Sequence, residues 1–167
     1  MTVVCTLDAG HAKACAVLHA SGFDRPWSAA SISGLLLDNK IRGWGIPSDD
    51  ASSLSAFALF RVVDEEADFL TITTHPESRS RGFASSLITH AATDLALLGV
   101  KRLTLEVSLK NAAAIALYHR LGFTRDGHRP AYYVADDGER IDAMLMSSTP
   151  SRIAGLLGSS APSTQHD

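Results

Sequence analysis

A chain of 167 residues with 15 Lys and Arg against 18 Asp and Glu, a formal net charge of −3, has the size of one domain with a substantial core. Its 46% hydrophobic and 20% charged residues exclude a disordered chain, and the slight acid excess argues against a partner held mainly through a nucleic-acid backbone. No stretch approaches the roughly 18 uncharged apolar residues of a membrane span. Residues 1–10 lack the basic-then-apolar pattern of a secretory signal, and Cys5 and Cys15 are too few for a disulfide framework or a zinc site. A reducing, cytoplasmic setting is expected, with no membrane or nucleic-acid partner.

Thr2 to Leu7 is expected to form a short strand, with Asp8 capping an Ala-rich helix that runs to about Ala20. A loop, Ser21 to Pro26, leads to a second helix capped by Ser28, with Ile32, Leu35 and Leu36 on one side. Ile41 to Ile46 reads as a strand weakened by Gly43 and Gly45. Ser55 to Val63 and Phe69 to Thr74 are strands either side of an acidic turn, the second stopped by His75-Pro76. Ala84, Leu87, Ile88, Ala91, Leu95 and Leu98 recur at helical spacing up to Gly99. Leu103, Leu105, Val107 and Leu109 alternate with Arg102, Thr104, Glu106 and Ser108 in a strand pattern. Asn111 caps a helix with Ala114, Leu117, Tyr118 and Leu121 on one face, and Gly122 ends it. Tyr132 to Val134 and Ile141 to Met146 flank Asp137-Gly138, a hairpin turn signal. This order predicts one α/β domain, residues 1–147, with a mixed sheet and helices on its faces. Residues 148–167, rich in Ser and Pro, are expected to be a flexible tail; Ile153, Leu156 and Leu157 have the spacing of one amphipathic turn, but a frayed end is favoured.

The chemistry concentrates in the centre. Arg79-Ser80-Arg81-Gly82-Phe83-Ala84 lies between a strand and a helix, where backbone N–H groups converge over the positive end of the helix. Gly82 and Ala84 keep side chains out of the way of an approaching diphosphate. By themselves these residues fit a plain helix start with solvated arginines slightly better. Glu106 lies on the polar face of its strand between Thr104 and Ser108, as an ordinary solvated glutamate would. Tyr118 lies on an apolar helix face, as a packing residue would.

The wider context resembles the GCN5-related N-acetyltransferases (GNAT). Arg79, Gly82 and Ala84 occupy the defining places of that family's motif A, Gln/Arg-x-x-Gly-x-Gly/Ala. Leu70 to Pro76 looks like the family's fourth strand, and Leu105 to Tyr118 with Leu121-Gly122-Phe123 is close to its motif B. Dense from Ala56 to Met146, the likeness is to the ribosomal-protein-alanine N-acetyltransferase (RimI-type) branch. Ser80 and Ser85 stand where that branch often carries arginines, Ala84 where glycine is usual, and Lys110 where a small residue is common. The resemblance implies a GNAT-like, mostly antiparallel sheet flanked by helices, with acetyl-CoA as acetyl donor and no metal. It implies cofactor contacts at Ile72, Thr73, Thr74, Arg79, Ser80, Arg81, Gly82, Phe83, Ala84, Ser85 and Asn111, with Glu106 as general base acting through water and Tyr118 as general acid.

Transfer from a thioester to an amine needs a neutral amine, a stabilised carbonyl oxygen and a protonated leaving thiolate. An α-amine, with a reference pKa of about 7.7–8.0, requires only a modest base. A backbone N–H of Ile72, Thr73 or Thr74 is the expected donor to the oxygen. Both cysteines lie outside every motif, so direct transfer in a ternary complex is expected rather than a covalent cysteine route; His75, His90 and His119 lack metal-ligand spacing. The resemblance implies that the acceptor is the α-amine of an alanine-initiated small-subunit ribosomal protein, in a groove walled by Tyr132-Tyr133-Val134 and Ile141-Asp142-Ala143. The alternatives are a small amine or lysine acceptor and, in another class, an acyl-CoA-binding module without turnover.

Overall fold

In the computed structural model, which describes residues 2–135 and 137–156, the alternating segments join one seven-stranded sheet. Its strands are β1 (Cys5–Thr6), β2 (Ile41–Pro47), β3 (Leu54–Val63), β4 (Glu66–Thr74), β5 (Arg102–Ser108), β6 (Thr124–Val134) and β7 (Arg140–Ser148), in the order β1-β2-β3-β4-β5-β7-β6. Every pairing is antiparallel except that of β4 with β5.

The period-two pattern feeds two apolar layers. On one face Trp44, Phe60, Leu103, Leu105 and Val107 pack against α3 (Phe83–Leu97) through Leu87, Ile88 and Leu95, and against Tyr118 of α4 (Ala112–Arg120). On the other, Leu7, Phe57 and Leu59 meet Cys15 and Leu18 of α1 (Ala12–Ala20) and Ile32 of α2 (Ala29–Leu37). Each such side chain contributes about 1.5–3 kcal/mol on full burial, so these stripes determine where the helices lie. Ser28 and Asn111 cap α2 and α4 as expected, accepting from the backbone N–H groups of Ser31 and Ala114. Asp8 caps a single 3-10 turn, Ala9–His11, that runs into α1. Among the described residues no helix is long and apolar enough to cross a membrane.

Three expectations are corrected. Gly43 and Gly45 do not weaken β2, which pairs on both sides. They make room for neighbouring side chains on that face: a Cβ on Gly43 would lie 2.8 Å from Leu59 Cδ2 and 3.3 Å from Leu36 Cδ2 of α2, and one on Gly45 2.9 Å from Leu7 Cδ2. The strand before the hairpin turn begins at Thr124, far earlier than Tyr132, because β6 is an edge strand whose exposed residues carry no apolar alternation. The segment expected to fray opens instead with α5 (Pro150–Gly155), capped by Thr149 and anchored by Ile153, which is fully buried in the α3-side core. Residues 157–167, with Leu157 and most of the expected tail, lie outside the described residues.

One irregularity opens the sheet. β4 and β5 pair only over Glu66–Asp68 and Arg102–Thr104. At the last rung the Thr104 hydroxyl donates to the Asp68 carboxylate. Just beyond it β4 bulges at Leu70, since Leu59 faces Thr71 while Phe60 faces Phe69. A bulge bends its strand and ends regular pairing. From there to Thr74 and Ser108 the two strands run on without each other.

Candidate active site

Past Asp68, the edge of β4 turned toward β5 has no strand partner, so a row of main-chain groups faces the opening. Such a row is a template for an extended ligand. A cavity of about 510 Å³ runs beside it, lined by Ile72, Thr73 and Thr74. Ser78, Arg79, Ser80 and Gly82 of the following loop also line it, as do Phe83, Ala84 and Ser85 in the first turn of α3. The Thr73 hydroxyl is buried without a hydrogen-bond partner among the described residues. A buried unpaired hydroxyl asks for one.

The loop is shaped for an anion. Ser80 (φ +63°) and Gly82 (φ +78°) are both left-handed, one on each side of Arg81. Alternation of this kind turns neighbouring N–H groups to one side as a nest. Gly82 is also the N-cap of α3 and supplies no side-chain hydrogen bond, unlike Ser28 and Asn111. The first N–H groups of α3 therefore stay available at the positive end of a 15-residue helix. Arg79 lines the cavity, whereas the Arg81 guanidinium lies 4.7 Å over the Phe83 ring. Another depression, about 450 Å³ at the β3–β4 turn, is lined by Asp64, Glu65, Glu66 and Asp68 and would repel an anion.

Glu106 lies on the face of β5 opposite Leu105 and Val107, with 29% of its side chain exposed. Arg129 Nη2 is 2.9 Å from its Oε1. The interaction of Tyr132 with the same carboxylate raises that phenol above its ordinary value. Tyr133 is raised by burial and then by the charge of Glu106. Tyr118, on the opposite side of the sheet, is 6% exposed and meets Phe69 and Phe123 edge-on. Burial, and secondarily Tyr133, pushes its phenol up to about 12, so it stays protonated at neutral pH. Cys15 is fully buried in the α1 layer with its thiol pushed up to about 12, the opposite of an activated nucleophile.

The structure thus gathers every sequence-predicted cofactor residue except Arg81 around one cavity and leaves Glu106 and Tyr118 outside its lining. Sequence reasoning missed Gly22 and Phe23 on the loop after α1. A Cβ on Gly22 would lie 3.2 Å from Thr73 Cγ2, so that loop closes directly over β4. It also missed one stripe of α4, Ala113, Ala114, Leu117, Arg120 and Leu121, which shares a side with Asn111. Helical spacing from Asn111 would have marked this stripe, and Arg120 adds a second arginine to the lining. Arg129 was missed because its polar segment gave no strand signal.

The sequence profile of the Acetyltransferase (GNAT) family matches residues 13–123. This chain belongs to the GNAT acetyltransferase family. The [ribosomal protein bS18]-alanine N-acetyltransferase of Escherichia coli (strain K12) is 42% identical over 94 residues, 56% of this chain and 63% of that protein. The match therefore spans less than two thirds of that relative's length. The protein of the same name from Salmonella typhimurium (strain LT2) is 36% identical over 122 residues, covering 73% of this chain and 80% of its own. The crystal structure of the ribosomal-protein-S18-alanine N-acetyltransferase from Escherichia coli aligns with a TM-score of 0.82 at 28% identity, covering 100% of both chains. The mixed, mostly antiparallel sheet flanked by helices is the GNAT fold, as its motifs imply.

Proposed function

We propose that this GNAT protein is a cytoplasmic N-terminal protein acetyltransferase that moves acetyl from acetyl-CoA to the α-amine of an alanine-initiated small-subunit ribosomal protein, in a direct ternary complex. The observation that carries the reading is the opening between β4 and β5, with an anion-seeking cavity beside it and Glu106 and Tyr118 on opposite faces of the sheet. Two relatives named for acting on the alanine of ribosomal protein bS18 support the choice of acceptor.

The residues present suit coenzyme A. The nest over α3, with Arg79 and Arg120, fits a diphosphate. The free edge of β4 fits an amide-bearing arm, which can pair like an added strand, and the Thr73 hydroxyl offers a further polar contact. When bound, acetyl-CoA supplies the acyl group already activated as a thioester. A backbone N–H from Ile72, Thr73 or Thr74 donates to the carbonyl oxygen as it gains charge. Glu106 takes the proton released from the acceptor nitrogen through a water molecule. Tyr118 presents its hydroxyl to the departing sulfur. A phenol near 12 does not readily protonate a thiolate of ordinary basicity, about 8.5. The apolar surroundings that raise Tyr118, Phe69 and Phe123 among them, also raise a thiol departing beside them, and this narrows the gap.

The test uses the full chain, acetyl-CoA and two peptides, one beginning with a free alanine and one with a blocked α-amine and an internal lysine. Mass spectrometry should find acetyl on the alanine nitrogen, at a rate far above that on lysine. Acetyl on lysine, or equal rates for the two peptides, contradicts the acceptor; binding of acetyl-CoA without turnover contradicts the enzyme.

A further inference from the structure

Glu106 is held by one irregular segment of an edge strand. Along the β6–β7 ladder Gly127 faces Leu145 and Arg129 faces Ala143, but the next pair is Tyr133 with Ile141. Pro130, Ala131 and Tyr132 thus bulge opposite Asp142 alone. The Asp142 carboxylate accepts the N–H of Ala131 at 2.7 Å and pins that residue in a left-handed conformation, φ +52°. The bulge brings Arg129 and Tyr132 together, the guanidinium 4.8 Å over the ring, and both meet Glu106. Across the sheet, Glu106 shares a row with Leu145 and Gly127, and Arg129 is one rung along in the row of Ser108. The diagonal from Arg129 to Glu106 crosses β7 between Leu145 and the small Ala143.

We propose that Arg129 makes this site take its acceptor as the neutral amine, by neutralising Glu106 so that the carboxylate does not capture an ammonium ion. The proposal rests on the acceptor reading above. A bare carboxylate in an acceptor groove binds the protonated amine, the form that leaves nitrogen without a lone pair for attack. An α-amine with a pKa of about 7.7–8.0 is roughly one-tenth neutral at pH 7, so selecting that form at the binding step has a measurable signature. Balance is kept: the neutral nitrogen bonds to the acetyl carbon, the carbon–sulfur bond breaks, the nitrogen's surplus proton passes through water to Glu106, and the sulfur takes a proton at Tyr118. Among the described residues the ionisable groups around Glu106 are Arg129, Tyr132 and Tyr133 of β6, with Tyr118 of α4 behind Tyr133; from β4 the Asp68 carboxylate accepts from Thr104, the next residue along the same face, from β7 its cross-strand neighbour is Leu145, and Asp142 is engaged with Ala131. All three phenols lie above their ordinary value, so none titrates near neutrality.

The experiment follows KM and kcat for an alanine-initiated peptide from pH 6 to pH 9 at saturating acetyl-CoA, in wild type, Arg129→Gln and Arg129→Lys. Calorimetric binding of the peptide to the coenzyme A complex supplies the same comparison without turnover. In wild type and Arg129→Lys, apparent affinity should improve about tenfold per pH unit below the amine pKa while kcat stays flat. In Arg129→Gln the peptide should bind as the ammonium, with KM flat in pH below the amine pKa and on the order of tenfold below wild type at pH 6.5, and the pH dependence there should move into kcat. Arg129 is half exposed, so the swap leaves the fold intact, which a melting curve checks. A wild-type KM that ignores pH, or an Arg129→Gln profile that matches wild type, overturns the proposal while α-amine acetylation stands. Wild-type acetylation of lysine alone, or of neither peptide, overturns the acceptor reading and this proposal with it.

Discussion

The two halves of the candidate site are built on different principles. The cofactor side is mostly main chain: the free edge of β4, two left-handed residues and an uncapped helix start, nearly all within Ile72 to Ser85. The acceptor side is side chains, with Glu106 from β5, Arg129, Tyr132 and Tyr133 from β6, and Tyr118 from α4. A main-chain site tolerates replacement of side chains but not of the residues that shape the backbone. A side-chain cluster is the reverse: each member is replaceable in shape, and chemistry is lost one functional group at a time.

The largest expected effect is on the acceptor side. Glu106→Gln should lower kcat by roughly 10²–10⁴-fold with acetyl-CoA affinity nearly unchanged. Tyr118→Phe should lower kcat while Phe69 and Phe123 keep their edge-on contacts. Near-wild-type turnover in both would remove the catalytic pair. On the cofactor side, Gly82→Glu should weaken acetyl-CoA binding by on the order of a hundredfold or more, by setting an anion where the diphosphate belongs. Space is not the obstacle, since a Cβ there meets nothing within 4 Å, but φ +78° strains any ordinary residue by about 1–2 kcal/mol. Gly82→Asn, which tolerates that conformation, separates strain from charge in a calorimetric titration: if Asn binds as poorly as Glu, charge is not the cause.

The same contrast explains what could be read from the chain. Motif A and its strand are contiguous, yet Arg79, Ser80, Gly82 and Ala84 alone fit a plain helix start slightly better, and the family pattern was needed to point to the cavity that the fold assembles. Glu106 and Tyr118 were legible only through a family pattern, since each also has an ordinary packing or surface role at its position. Arg129 was not legible at all. Its place depends on a bulge set by Asp142, and nothing local in Thr124 to Ala131 encodes a register against β7. Gly43 and Gly45 misled for a related reason: their meaning lies in the approach of Leu7 and Leu59 from elsewhere in the chain. Ile153 shows the limit of composition, because two buried apolar residues, Pro150 and Ile153, and a Thr149 cap dock a helix in a segment that reads as tail.

Two smaller effects sharpen the comparison. Asp142→Ala should free the Ala131 N–H, relax the bulge and lower kcat/KM for peptide by roughly three- to tenfold, with acetyl-CoA affinity intact. An equal loss in both would mean that the two halves are mechanically coupled. His19 supports the cofactor side. Its ring is sandwiched by Phe23, which lines the cavity, and Trp27, whose N–H donates to Nδ1 at 3.1 Å. Burial lowers its pKa below the ordinary 6.5, so as pH falls through that value the unfolded chain binds the proton first. Stability is thus full above about 6.5 and declines with acidification below it. His19→Asn, which keeps an acceptor for Trp27, should flatten that part of the profile; an unchanged slope would assign the loss to other groups.

The central claim is that the acetyl group is delivered into the opening between β4 and β5, between Tyr118 and Glu106. The direct measurement is a crystal structure with acetyl-CoA and an alanine-initiated peptide bound to the Glu106→Gln protein, which halts turnover. The thioester sulfur is expected within about 3.5 Å of the Tyr118 hydroxyl, the acetyl oxygen on an N–H of Ile72, Thr73 or Thr74, and the α-nitrogen on the side of residue 106. A thioester lying away from that opening, or a peptide nitrogen approaching from the Tyr118 side, would contradict it.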